Sequence, residues 1–349
     1  MRLATFLDQS ARSRIGASTA DGRIVDLNAA CKLYLREHEN DPAYSHIADA
    51  RVPPDMRLLF EGGDRSLDAA RAALDYVTSQ NPENGVDGEP IFFRREDIRL
   101  KAPIIPKKFF HTAGNFREHH HEAEKAGFSH PVLPWIVFFQ NVDAIIGPDE
   151  PVIFPPHLTQ ELDYELELAV VVKKAGKHFD AKTALDYIGG FVIFNDITAR
   201  DIQRNEMKSG VFSLCKGIDS FCPLGPHIVT ADEIKDPHKL QIKLTNNGTV
   251  YQNFNTDDMA HKIPRCIEWV TSIHTLEPGD ILATGTNHRG LNPFMDGDKI
   301  ELTCEGCGTL HIKVRDPLKR SWARITRLQH KQSGAEGVHT KQTGGKYAK

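Results

Sequence analysis

The stretch ELDYELELAVVV, residues 161–172, and the run GFVIFND, residues 190–196, decide how this chain folds. Both have strand length and apolar or β-branched character, and each carries carboxylates near one end. Successive side chains on a strand point to opposite faces, so Glu161, Asp163, Glu165 and Glu167 share one face while Leu162, Tyr164, Leu166 and Leu168 share the other. Carboxylates side by side repel, and near a protein interior they need something positive among them. A hard divalent cation meets that need with oxygen ligands, and Asp196 brings a third carboxylate from a separate strand end. Spacing alone leaves a solvated polar strand face as the alternative.

A chain of 349 residues suits one large domain plus a smaller one. The 40% apolar and 26% charged content is that of a globular protein, and a formal net charge of −4 with no basic block argues against a nucleic-acid partner. Apolar runs such as Trp135 to Phe139 are far too short to span a bilayer. The start, MRLATFLDQSARSR, shows no signal-peptide core, so a cytoplasmic location is expected. Six cysteines do not make a disulfide framework. Cys304 and Cys307 form a CxxC without the second pair that zinc would need, and Gly306 and Gly308 point instead to a hairpin turn or bulge.

Outward from the central stretch, three segments are expected: a small N-terminal α/β domain (1–95), a larger domain (96–328) and a polar tail (329–349). In the first, ATFLD and GRIVDLN read as strands with a turn signal at Asp21-Gly22. Ser66 can cap a helix running to about Gln80, and the polar stretch 79–90 marks the boundary. In the second, GNFREHHHEAEKAG is helical and places His119 and Glu122 on one face, as a base and its orienting carboxylate would be. His120 and His121 beside them also fit a solvated helix surface. Arg200 and Gln203 are likewise three apart on one face, and Lys216 sits in a loop rich in Gly and Pro. Asn246-Asn247-Gly248 joins a hairpin, a helix runs from about Met259 to His274 with Pro264 either delaying its start or breaking it nearby, and Thr284-Gly285-Thr286 ends a strand where a pocket could open.

Four of these pieces, NFREHHHE, DYELELAVVV, FNDITARDIQ followed by KGIDSFCPLGP, and ILATGT, occur together in an order that resembles the fumarylacetoacetate hydrolase family. The resemblance covers roughly residues 100 to 318 and not residues 1 to 95. It implies an α+β, β-rich fold, a mixed β-sandwich roll usually assembled as a homodimer. It also implies Glu165, Glu167 and Asp196 as ligands of Mg²⁺, with Mn²⁺ or Ca²⁺ as substitutes. Lys216 and Thr286 would line the substrate site with Arg200 and Gln203 at or near it, and His119 and Glu122 would form a lid dyad. Phe116 stands where the family pattern has tyrosine, and Gln140 stands where many members have lysine. The implied substrate is a 2-oxo acid, commonly with a second carbonyl at C4. Hydrolysis of the C3–C4 bond, with water activated by the dyad and the enolate charge stabilised by Lys216, is the expected reaction. Decarboxylation or isomerisation through the same enolate comes second, and a non-catalytic metal-binding protein is a remote third.

Overall fold

The computed structural model describes residues 1–117, 136–211, 213–334 and 342–346. Its architecture is mixed α and β, rich in strands, as expected. The main sheet has twelve strands, and its principal path runs Phe92–Phe93, Ile24–Asp26, Ser13–Ser18, Arg2–Leu7, Cys222–Thr230, Ile188–Asn195, Leu166–Val172, Ile281–Ala283, Phe109–Ala113, Ile136–Phe139. The N-terminal strands therefore continue the same sheet as the rest of the chain. Arg2–Leu7 pairs antiparallel with Cys222–Thr230, and residues 27–104 share one apolar cluster with Ala169, Val171, Val192 and Phe194.

Leu166–Val172 occupies the middle of that sheet and is buried along its whole length. Its side chains divide between two cores. Leu166, Leu168, Val170 and Val172 face a second, five-stranded sheet, made of Thr249–Asn255, Gln241–Asn246, Lys299–Cys304, Gly308–Arg315 and Val152–Ile153. Ala169 and Val171 face the helical layer formed by Leu27–Glu37, Tyr44–Arg51, Met56–Glu61 and Gly63–Gln80. Both faces are covered, so the carboxylate face of this strand is an interior surface. Burial of its five Leu and Val side chains contributes on the order of 10 kcal/mol before entropy is counted.

Local signals placed most of the elements. Asn247 and Gly248 have φ of 50° and 81°, the paired left-handed conformation of a tight hairpin. Pro264 lies in the first turn of the helix Ile263–Ile273, where it costs no hydrogen bond. Cys304 and Cys307 flank the expected hairpin turn as buried free thiols. Two details differ. The helix expected from Ser66 begins at Gly63, and its start is set by a chain reversal at Gly62–Gly63 instead of a side-chain cap, leaving Ser66 buried inside it. Residues beyond 328 also carry structure: a short helix spans Arg327–Gln332, and Gln342–Gly344 pairs with Ser321–Trp322. Among the described residues, no helix is long and apolar enough to cross a membrane.

Candidate metal centre and active site

Register builds the site. Leu166 pairs with Asn195, so the end of one strand delivers Glu165 and Glu167 beside Asp196 at the end of the other. Two backbone-directed bonds lock the junction: Glu165 N–H donates to Asn195 Oδ1 at 2.9 Å, and Asp196 N–H donates to the Glu165 carbonyl at 2.9 Å. A third strand, Ile281–Ala283, ends at the same level. There Gly285 takes φ +92°, a conformation that favours glycine, and its N–H donates to Glu167 Oε2 at 2.8 Å.

All the carboxylates on this face are buried, with Asp163 and Asp196 fully so. Each has a cation against it. Glu161 is paired with Arg204 at 2.5 Å, and Asp163 is paired with both Arg200, at 2.8 Å, and Arg327. Glu165 meets Arg200, Lys216 at 3.1 Å and the His288 ring at 3.3 Å. Asp196 meets Lys216 and accepts a 2.7 Å hydrogen bond from Gln140 Nε2. Lys216 also donates to Thr198 Oγ1 at 2.8 Å. Glu161 and Asp163 are therefore buried anchors for arginines, and the solvated polar face that spacing left open is not what the structure has.

His111, on the strand Phe109–Ala113, was not singled out from the sequence. Its Nε2 lies 3.0 Å from Glu167 Oε1 and 3.1 Å from Asp196 Oδ2. Burial disfavours the imidazolium, yet Glu167 and Asp196 outweigh it and raise the pKa to about 10. Charge that the sequence lacks at Gln140 is thus present at His111, against the same aspartate. Burial raises the Glu167 carboxyl, with His111 opposing. Glu165 behaves oppositely: burial would raise it, but Lys216 and Arg200 hold it well below the usual carboxylate range. Burial would lower Lys216, but Asp196 and Glu165 outweigh it and raise the group, so it stays an ammonium.

The donor set suits a divalent cation. Ligand atoms of His111, Glu167 and Asp196 lie within 4.8 Å of one another, and Glu167 Oε1 is buried without a well-aligned hydrogen bond. Glu165 is not one of those three; it shares with Asp196 a contact to Lys216 Nζ. Hard oxygen donors in a buried cluster match Mg²⁺ or Mn²⁺.

The remaining candidates divide clearly. Arg200 directs its three donors at Asp163, Glu165 and, at 2.9 Å, Gln203 Oε1 on its own helix Arg200–Met207. Thr286 is buried and accepts from Gln252 Nε2 at 3.2 Å; the same Gln252 accepts from the Leu166 N–H. Phe116 is buried edge-on against Phe254, filling the position with an aromatic wall. His119 and Glu122 lie outside the described residues. His111 and His288, which nothing in the sequence singled out, are single histidines in the stretches KKFFHTAG (107–114) and LEPGDILATGTNHRG (276–290). Neither has a partner within helical or strand spacing, so no local pattern marks them.

Comparison with known proteins identifies the family. Residues 108–315 match the family model described as fumarylacetoacetate (FAA) hydrolase C-terminal, and the chain belongs to that family. Mitochondrial oxaloacetate tautomerase FAHD2A of Bos taurus is 35% identical over 324 residues, covering 90% of this chain and 91% of that protein. An uncharacterized protein of Pyrococcus abyssi is 44% identical over 212 residues, 60% of this chain and 91% of its own length. Among solved structures, maleylpyruvate hydrolase from Sphingobium sp. SYK-6, in complex with manganese(II) and pyruvate, is similar with a TM-score of 0.68 at 26% identity. That match covers 90% of this chain and 99% of the hydrolase. The 5-carboxymethyl-2-hydroxymuconate delta-isomerase of Mycobacterium smegmatis is similar at 0.64 and 28%, over 90% and 99% of the two chains.

Proposed function

We propose that this chain is a divalent-metal-dependent enzyme that forms and protonates the enolate of a 2-oxo acid, with keto–enol tautomerisation of an oxaloacetate-like acid as the leading reaction. The observation that carries the reading is the convergence of Glu165, Glu167 and Asp196 on two cationic proton donors, Lys216 and His111, in a buried site. Glu165, Glu167 and Asp196, with His111 adjacent, would hold the ion. When bound, Mg²⁺ or Mn²⁺ supplies a Lewis acid for the carboxylate and 2-oxo oxygens.

The chain's own residues do the rest. Lys216, fixed by Glu165, Asp196 and Thr198, offers a stationary positive charge where negative charge develops on oxygen, and burial strengthens that effect. His111 Nε2 is placed to move a proton, with Glu167 and Asp196 fixing the ring. Tautomerisation transfers one proton from the enol oxygen to C3 and needs no water. Similarity to an oxaloacetate tautomerase, at 35% identity across 90% of the chain, supports it.

Hydrolysis of a 2,4-dioxo acid to pyruvate or a related 2-oxo acid plus a carboxylic acid is the second reading, favoured by the likeness to maleylpyruvate hydrolase. It requires a base for water, the role given to His119 and Glu122. Arg200, Gln203 and Thr286 frame the substrate side in either case. A cytoplasmic homodimer completes the proposal; six free, buried cysteines accord with a reducing compartment.

The test is a substrate panel of oxaloacetate, acylpyruvates and 2,4-dioxo sugar acids with Mg²⁺ or Mn²⁺, following enol absorbance and product identity. Enol–keto interconversion of oxaloacetate without cleavage is expected. Cleavage of an acylpyruvate with no effect on oxaloacetate enol would reverse the two readings, and metal-independent turnover would overturn both.

A further inference from the structure

Asp163 lies outside the proposed ligand set, fully buried and bonded to two arginines through the same oxygen, Oδ2. One of them, Arg200, extends its Nη2 to Glu165, the carboxylate that also contacts Lys216. The other, Arg327, belongs to the C-terminal segment, and its backbone N–H donates to the Leu291 carbonyl at 2.9 Å. Side chains of Arg327, Asp163, Arg200 and Glu165 thus form one continuous line of alternating charge from the C-terminal segment to the metal centre.

We infer that Arg327 is a positioning residue for the metal centre, acting through Asp163 and Arg200 on Glu165; the inference rests on the metal-binding reading above. A buried carboxylate left with one arginine draws that guanidinium fully onto itself. With Arg327 present, Asp163 is satisfied by two cations, and Arg200 is shared with Glu165. Without it, Arg200 is pulled toward Asp163, and Glu165 loses the donor that fixes its orientation. Outer partners of metal ligands commonly change affinity by about 10–100-fold when removed. Arg324, three residues earlier, pairs instead with Asp298 and is no part of the line, so it serves as a control for simple docking of the segment.

The experiment is titration of the full-length apo protein with Mn²⁺, reading free ion by electron paramagnetic resonance, for the wild type, Arg327→Gln, Asp163→Asn, their double variant and Arg324→Gln. Arg327→Gln is expected to weaken Mn²⁺ binding about 10–100-fold. The double variant should be no weaker than the worse single variant, because both act on one line, and Arg324→Gln should bind as the wild type. Wild-type affinity in Arg327→Gln, additive losses in the double variant, or an equal loss in Arg324→Gln would each overturn the inference. Should Arg327→Gln fail to fold, Arg327→Met, which keeps the aliphatic stem but offers Asp163 no cation, is titrated in its place, and wild-type affinity there is equally decisive against it. A wild type that takes up no Mn²⁺ removes the metal reading and the inference together, whereas wild-type uptake with unaltered Arg327→Gln removes the inference alone.

Discussion

Two β regions of this molecule have the same alternating pattern and opposite outcomes. In the hairpin Lys299–Cys304 and Gly308–Arg315, the apolar positions Ile300, Leu302, Leu310, Ile312 and Val314 are buried, while Lys299, His311, Lys313 and Arg315 are exposed. In the stretch 161–167 the residues alternate just as regularly, yet carboxylates and apolar side chains alike are buried. The hairpin lies in a sheet with one face on the core and one in water. The carboxylate stretch enters the centre of a sheet covered on both sides, so its polar face had to be neutralised by arginines, Lys216 and His111. Charge on a strand is inexpensive at the hairpin and tightly constrained in the centre.

That contrast breaks most visibly at Asp196. Asp196→Asn keeps the shape but removes the charge facing Lys216, His111 and Gln140, and turnover should fall by more than about 100-fold with the far-ultraviolet circular dichroism unchanged. An active variant would mean that this carboxylate is structural only.

Next in size is the cost of an unpaired charge. Lys216→Met leaves Glu165 and Asp196 without their shared cation and should lower the stability of the apo protein by about 3–5 kcal/mol in urea unfolding. A loss under about 1 kcal/mol would show that the buried carboxylates do not depend on it.

A smaller effect is expected where the hairpin turn meets the main sheet. The His227 ring lies beside Gly308, and burial first, then Arg2, depresses its pKa from 6.5 to about 4. The folded state therefore holds this histidine neutral, and between those two values the unfolded chain binds more protons. Stability is full above 6.5 and declines as pH falls toward 4, by about 1–3 kcal/mol from this group. His227→Asn should flatten that part of the stability–pH curve; an identical slope in the variant would rule out this histidine as its source.

Smallest of all is Lys313→Met on the exposed face of the hairpin, where the change should stay within about 0.5 kcal/mol by the same unfolding measurement. A loss comparable to that of Lys216→Met would erase the distinction between the two regions.

Local chemistry made much of this legible in advance. Alternation, Asn247-Gly248 and Pro264 located strands, a hairpin and a helix start, because turn conformation and backbone sterics act within a few residues. The order of Glu165, Glu167, Asp196, Arg200 and Lys216 marked the family and the cluster of site residues. Sequence by itself therefore determined which strands carry the carboxylates, and the family resemblance added Arg200 and Lys216 to the same site.

Only the tertiary structure decided the rest, because the deciding contacts span long separations in the chain. His111 reaches Glu167 and Asp196 through the parallel pairing of Phe109–Ala113 with Ile281–Ala283, far along the chain. Arg327 reaches Asp163 across an even greater separation, and the N-terminal strands join the main sheet by pairing with Cys222–Thr230. No periodicity records such pairings. Whether an alternating acidic strand faces water or a buried metal centre depends on what covers its second face, and that is settled when distant segments pack.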